Sequence, residues 1–284
     1  MQEDEEHAGS AEHLSGRERR QVAANLPPTA LVVHEIIREA GEEELERTNS
    51  SLLWSGLAAG LSMGFNLVCL GLLKYHLPDA QWTPLIQSFG YTVGFIIVIL
   101  GRQQLFTENT ITSVIPLLTR RTLDCLLHVA RIWALVLLAN LVGTAIFAAL
   151  AFHAPLTTPD LHEPFLELSL HAVEGGFIEL ASQGVLAGWL IALMVWLLPA
   201  AGSARVLVIL LITYVIGLGG FAHIIAGSTE AFYAVFAGEL SFADYLFGYF
   251  VPVLLGNVVG GTALVAIVNH AQVRDEVTGE EQRQ

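Results

Sequence analysis

His223 stands among glycines in Gly219-Gly220-Phe221-Ala222-His223-Ile224-Ile225-Ala226-Gly227-Ser228, and it is the one ionisable side chain of that stretch. An imidazole donates, accepts or relays a proton near neutral pH, which suits it to helping a small ion or weak acid past an apolar barrier. A second stretch, Gly101-Arg102-Gln103-Gln104-Leu105-Phe106-Thr107-Glu108-Asn109-Thr110, interrupts another apolar run with hydroxyls, amides and two opposite charges. Thr107 and Asn109 suit two jobs there, hydrogen-bonding the frayed backbone or touching a solute. Asn140 and Asn257 each lie inside an apolar run where a buried amide must find partners, and their expected role is to clamp the opposite broken segment.

These groups need elements that can hold them at membrane depth. Of the 284 residues 54% are hydrophobic and 14% charged, where a soluble domain carries about 25% charged residues, so the chain reads as an all-α membrane protein. Six apolar segments, 51–73, 80–101, 132–152, 180–204, 206–229 and 245–269, are judged against the ~20 residues that cross a bilayer. The fifth reaches its glycines after about 15 residues, or ~22 Å, so the residues past the break must complete the crossing. A broken helix at that depth is tolerated where it is buried in protein or lines a cavity, which points to a pathway.

The segments repeat. Gly56-Leu57-Ala58-Ala59-Gly60 answers Gly184-Val185-Leu186-Ala187-Gly188, and Leu138-Ala139-Asn140-Leu141-Val142-Gly143 answers Leu255-Gly256-Asn257-Val258-Val259-Gly260. Aligning the breaks glycine on glycine, Gly101 with Gly220, sets Gln104 opposite His223. The expected fold is therefore six transmembrane helices as a 3+3 inverted repeat with helices 2 and 5 broken, an arrangement of channels and transporters.

Twelve of the 27 acidic side chains fall within residues 1–49, so the net charge of -14 belongs largely to a tail, and nucleic acid is not an expected partner. The expected organisation is a disordered acidic tail over 1–28, an amphipathic cytoplasmic helix over 29–49 lying on the membrane face or a neighbouring subunit, a six-helix domain over 50–270 and a C-terminal tail over 271–284. Arg17, Arg38, Arg47, Arg120, Arg121, Arg205 and Arg274 fall on one side of such a fold and Lys74 on the other, which sets both termini in the cytoplasm. Cys69 and Cys125 match no metal or redox spacing, and no H-E-x-x-H is present, so no cofactor, metal or catalytic site is expected.

In order and spacing, Leu105-Phe106-Thr107-Glu108-Asn109-Thr110, Gly220-Phe221-Ala222-His223-Ile224-Ile225-Ala226 and Gly256-Asn257-Val258-Val259-Gly260-Gly261 resemble the formate/nitrite transporter family across residues 30–270. The Arg102–Asn109 wording and the long acidic tail are closest to a bacterial inner-membrane branch of it. The resemblance implies a homopentamer in the lipid bilayer of the inner membrane. Each protomer is aquaporin-like and passes a small monovalent anion or weak acid such as formate or nitrite, often with a proton. It implies His223 at the centre, Thr107 hydrogen-bonded near it, and apolar narrowing by Leu105, Phe106, Phe221 and Ile224.

One departure bears on selectivity. The lysine that the family places shortly before helix 4 falls here at Ala172, with His171 and Glu174 beside it, and Glu108 and Glu179 add negative charge where an anion would pass. Arg102 either pairs with Glu108 or faces the lumen and attracts the anion. The departure keeps open a pore for a cation or a neutral solute, and a non-conducting scaffold is the reading of another class.

Overall fold

The structure is a computed structural model and describes residues 14–18, 22, 26–154 and 158–273. Most of the tail expected over 1–28 and residues 274–284 of the C-terminal tail lie outside the described residues. Those described are helical, in turns or irregular, with no strand among them.

The first long element, α1 (Ala30–Glu46), starts where Thr29 Oγ1 accepts the Val32 N–H at 3.3 Å. Val33, Ile37, Gly41 and Leu45 recur every fourth residue and are buried with His34, so one stripe faces inward while Glu35, Glu39 and Glu43 stay outside. That stripe packs on this chain's own helices α5 (Phe106–Thr112), α6 (Val114–Arg120) and α7 (Leu123–His153), while Val32 and Ile36 stay exposed.

Five helices are long and apolar enough to cross a membrane: α2 (Asn49–His76), the Thr83–Leu100 stretch, α7, Phe177–Ala200 and α12 (Asp244–Val273). Within Thr83–Leu100 the chain turns at 88–91, dividing it into α3 (Thr83–Gln87) and α4 (Thr92–Leu100) instead of the single helix the hydropathy suggests. Between α7 and Phe177 lies α8 (His162–Ala172), and the Phe177–Ala200 stretch opens with α9 (Phe177–Leu197). The remaining apolar run is two short helices, α10 (Arg205–Leu218) and α11 (Ile224–Ala237), of 14 residues each. At 1.5 Å per residue each spans ~21 Å, so neither crosses ~30 Å of hydrocarbon alone.

Two helix pairs frame the molecule, α2 against α7 and α9 against α12. Both come close enough that only a glycine fits: a Cβ at Gly60 would lie 2.2 Å from the Asn140 carbonyl oxygen, and one at Gly188 would lie 2.3 Å from that of Asn257. α12 loosens into π-turns over Asp244–Phe250 and Val259–Ile267, on either side of the regular Val251–Val258 segment that holds Asn257.

The interruptions between α4 and α5 and between α10 and α11 follow one backbone path. Gly101 (φ -74, ψ -3) ends α4 and Gly219 (φ -79, ψ -5) ends α10. Each is followed by a left-handed residue, Arg102 at φ 52 and Gly220 at φ 62. The next helix then starts from an extended N-cap, Leu105 (φ -104, ψ 127) or His223 (φ -107, ψ 124). The geometry thus puts Leu105 opposite His223 and corrects the glycine-on-glycine alignment by one residue. The left-handed position is what corresponds, and in the first break an arginine occupies it.

Candidate functional site

An asparagine holds each break. Asn140 Oδ1 accepts the Phe106 N–H at 2.9 Å while its Nδ2 donates to Gly56 O at 2.8 Å and Gln104 O at 2.9 Å. Asn257 Oδ1 accepts the Ile224 N–H at 2.9 Å, and its Nδ2 donates to Gly184 O at 2.8 Å and Ala222 O at 2.9 Å. A broken helix leaves such backbone groups without intrahelical partners, and one amide answers them because it offers an acceptor and two donors together. Each asparagine serves the break nearest it in sequence, not the opposite one. It ties that break to the glycine helix that it already touches.

His223 caps α11 with its own side chain, Nδ1 accepting the Ala226 N–H at 3.2 Å. Its Nε2 lies 2.8 Å from Thr107 Oγ1 in the first turn of α5, so one hydrogen bond joins the starts of the two half-helices. The cap fixes the tautomer. With Nδ1 accepting, the ring proton sits on Nε2 and is donated to Thr107 Oγ1, which leaves the threonine hydroxyl proton free to turn elsewhere. An imidazolium would need a proton on Nδ1 where the Ala226 N–H already points, so charging the ring means opening the cap.

The surroundings of this pair are apolar and tight. His223 is 1% exposed and Thr107 0%. The Phe95 ring stands edge-on to the imidazole with centroids 4.9 Å apart, and Tyr249 Oη donates to the His223 carbonyl at 3.3 Å. The Tyr249 hydroxyl fits only because residue 227 is glycine, where a Cβ would lie 1.7 Å from it.

The other expected residues divide into those near this centre and those away from it. Gln104 Oε1 accepts from Asn109 Nδ2 at 3.0 Å, while Asn109 O accepts from Trp133 Nε1 at 3.1 Å, so both amides support the first break. Leu105 and Ile224 are buried at the two helix starts, and Phe221 is half-buried. Phe106 turns its ring to Trp133 at 5.8 Å. Glu108 is half-buried and Arg102 exposed, and no ion pair joins them among the described residues. The left-handed turn at Arg102 places its side chain outside the fold. His171 Nδ1 lies 3.2 Å from Glu174 Oε2 on the surface, and Glu179 is exposed on the first turn of α9; neither pairs with His223. The one lysine, Lys74, is held by Glu167 of α8.

Phe95, Tyr91, Tyr249 and Glu230 escape a reading of the sequence alone. Glu230 lies on α11, one residue past the apolar segment 206–229, and it is 6% exposed without a hydrogen bond or ion pair among the described residues. A lone acid at the edge of a hydrophobic window is the signal that could have marked it.

The formate/nitrite transporter family model matches residues 31–271. The chain is 40% identical over 275 residues to the inner membrane protein YfdC of Escherichia coli (strain K12), covering 97% of this chain and 89% of that protein. This is the relative to which the Arg102–Asn109 wording points. It is 27% identical to the formate channel BtFdhC of Bacillus thuringiensis, over 84% of this chain and 93% of that one. Among solved structures, a pentameric formate channel with formate bound has the same fold at a TM-score of 0.66 and 20% identity, covering 77% of this chain and 95% of that chain.

Proposed function

The chain belongs to the formate/nitrite transporter family, and from that premise we propose that it carries a small monovalent acid or its anion, of the formate or nitrite kind, across a membrane through a pathway centred on Thr107 and His223. The observation that carries the reading is the 2.8 Å contact between Thr107 Oγ1 and His223 Nε2, which brings two helix starts from distant parts of the chain to one point. Helix N-termini carry partial positive charge, so two of them facing one spot lower the cost of an anion there. The free hydroxyl proton of Thr107 gives the passing carboxylate or nitrite a donor, and the Nε2 proton behind it holds the hydroxyl in place. Leu105, Phe221 and Phe95 supply the apolar narrowing, while Phe106 serves packing against Trp133.

In this reading α10 and α11 together make a sixth crossing, and the chain is two inverted halves, each with one broken helix and one clamping asparagine. The pathway belongs to each protomer, and five protomers assemble as in the pentameric formate channel of the same fold. Arginine placement puts both termini in the cytoplasm of a bacterial inner membrane. A second reading, a pore for a cation or a neutral solute, is favoured by one observation: Glu108 and Glu230, each in a half-helix that starts at a break, have no cationic partner among the described residues.

The test is uptake of formate, nitrite and a monovalent cation into proteoliposomes. Formate or nitrite uptake is expected, with His223→Ala and Thr107→Ala each lowering it about tenfold or more, as loss of one charge-assisted contact implies. Undiminished uptake in both variants removes the centre proposed here, and absence of any flux in the unaltered protein leaves the scaffold role.

A further inference from the structure

We propose that Glu230 is a specificity-determining residue of the pathway, which lets a weak acid pass with its proton and turns back the bare anion. The inference rests on the pathway reading above and deepens it. His223, Gly227 and Glu230 follow one another at i, i+4 and i+7, a single stripe along α11 about 10 Å long. Aromatic side chains wall the His223 end of that stripe. Tyr249 donates to the His223 carbonyl and lies across the notch at Gly227, between His223 and Glu230 along the helix. Phe95 stands edge-on to His223 and 5.5 Å from the ring of Tyr91. Glu230, 6% exposed, closes the same buried face of the half-helix that His223 opens.

No hydrogen bond or ion pair among the described residues neutralises the acid. Of the charged and titratable groups on the elements packed against α11, Lys74 is taken by Glu167, His162 by the Tyr233 hydroxyl at 2.8 Å and Tyr245 by Ser228 Oγ at 3.0 Å, while on α7 Arg131 donates to the Leu45 and Arg47 carbonyls and the exposed His153 lies against the rings of Phe152 and Phe236. A carboxylate and a substrate anion within ~5–10 Å of each other in a low-dielectric cleft oppose one another strongly, whereas a carboxyl that bears its proton opposes neither an anion nor a neutral acid. By the sense of α11 from the break and the proposed topology, Glu230 stands on the outer side of His223. A substrate arriving from outside meets it first.

The experiment is formate flux into proteoliposomes at about pH 5 and about pH 8 for the unaltered protein, Glu230→Gln and Glu230→Asp. At each pH substrate ionisation is the same for every variant, so differences between variants belong to the protein. Flux of the unaltered protein and of Glu230→Asp is expected to fall steeply at the higher pH, and Glu230→Gln to regain about fivefold or more there while matching at the lower pH. Glu230→Leu, which fills similar space without charge, carries the same expectation if the glutamine variant does not assemble. An unchanged ratio of the two fluxes in the uncharged variants overturns the inference, as does a flux of methylammonium that these variants abolish. Absence of formate flux in the unaltered protein at both pH values instead overturns the pathway reading on which it stands.

Discussion

Gly101, Arg102 and Leu105 adopt the same dihedral angles as Gly219, Gly220 and His223, and an asparagine makes the same two hydrogen bonds to each turn and a third to the neighbouring glycine helix. What differs is the side chains on that shared backbone. The residue that starts the second half-helix is leucine in one break and histidine in the other, and the left-handed residue is arginine in one and glycine in the other. Eight residues before each asparagine stand Ile132 and Tyr249, so only the second break has a hydroxyl against its capping carbonyl. The backbone of a membrane-depth break is a structural requirement met identically twice. The side chains on it are free to differ, and only the second break carries an imidazole.

The comparison is broken most directly at the clamps. Asn140→Leu and Asn257→Leu each strand one buried N–H and one buried carbonyl of the break, at about 1–3 kcal/mol apiece, while the Gly56 and Gly184 carbonyls keep their partners within their helices. Both variants are expected to lose stability by several kcal/mol, read as a fall in melting temperature of about 10 °C or more in detergent and a loss of monodisperse oligomer. Equal losses support two equivalent clamps. A large loss in one and little in the other would show that the shared hydrogen bonds carry unequal load.

A smaller effect separates the halves by chemistry. Tyr249→Phe removes one hydroxyl donor to the His223 carbonyl and keeps the ring, for about 1 kcal/mol, so melting is expected to shift by only ~2–4 °C. Flux is expected to fall about threefold to tenfold, because the imidazole loses part of its support. Ile132→Val, at the matching place before the first clamp, is expected to change stability by about 1 kcal/mol and leave flux within twofold. Equal effects of the two on flux would erase the division of labour drawn above.

How much of this was legible in the sequence follows from which constraint each residue answers. Long uncharged runs have to become helices in lipid, so the all-helical membrane class and the five long spans are readable from hydropathy. Asn140 and Asn257 are readable as amides in need of partners, since their kind does not belong in an apolar run. Which break each one ties is not readable, because that depends on the close approach at Gly60 and Gly188. The register of the breaks is misread by one residue because glycine looks like the natural mark of a left-handed turn, and Arg102 occupies that turn instead. Phe95 and Tyr249 carry no signal at all in the sequence, being aromatic residues in apolar segments until the fold closes them on His223, with Tyr91 behind Phe95.

Arg102 offers the smallest and most discriminating test. A non-glycine residue in the left-handed region costs roughly 1 kcal/mol, and nothing among the described residues pairs with this guanidinium to offset it. Arg102→Gly is therefore expected to raise stability by about 0.5–1 kcal/mol in a single protomer, while Gly220→Ala lowers it by a similar amount. Both shifts are read as melting-temperature changes of a few degrees, in opposite directions. The guanidinium is exposed on the protomer, which leaves it free to meet a neighbouring subunit or the solute. Should Arg102→Gly destabilise the assembled oligomer while its isolated protomer melts higher, the side chain is an assembly contact. If oligomer and protomer both melt higher, the arginine serves neither stability nor assembly and its role lies with the solute.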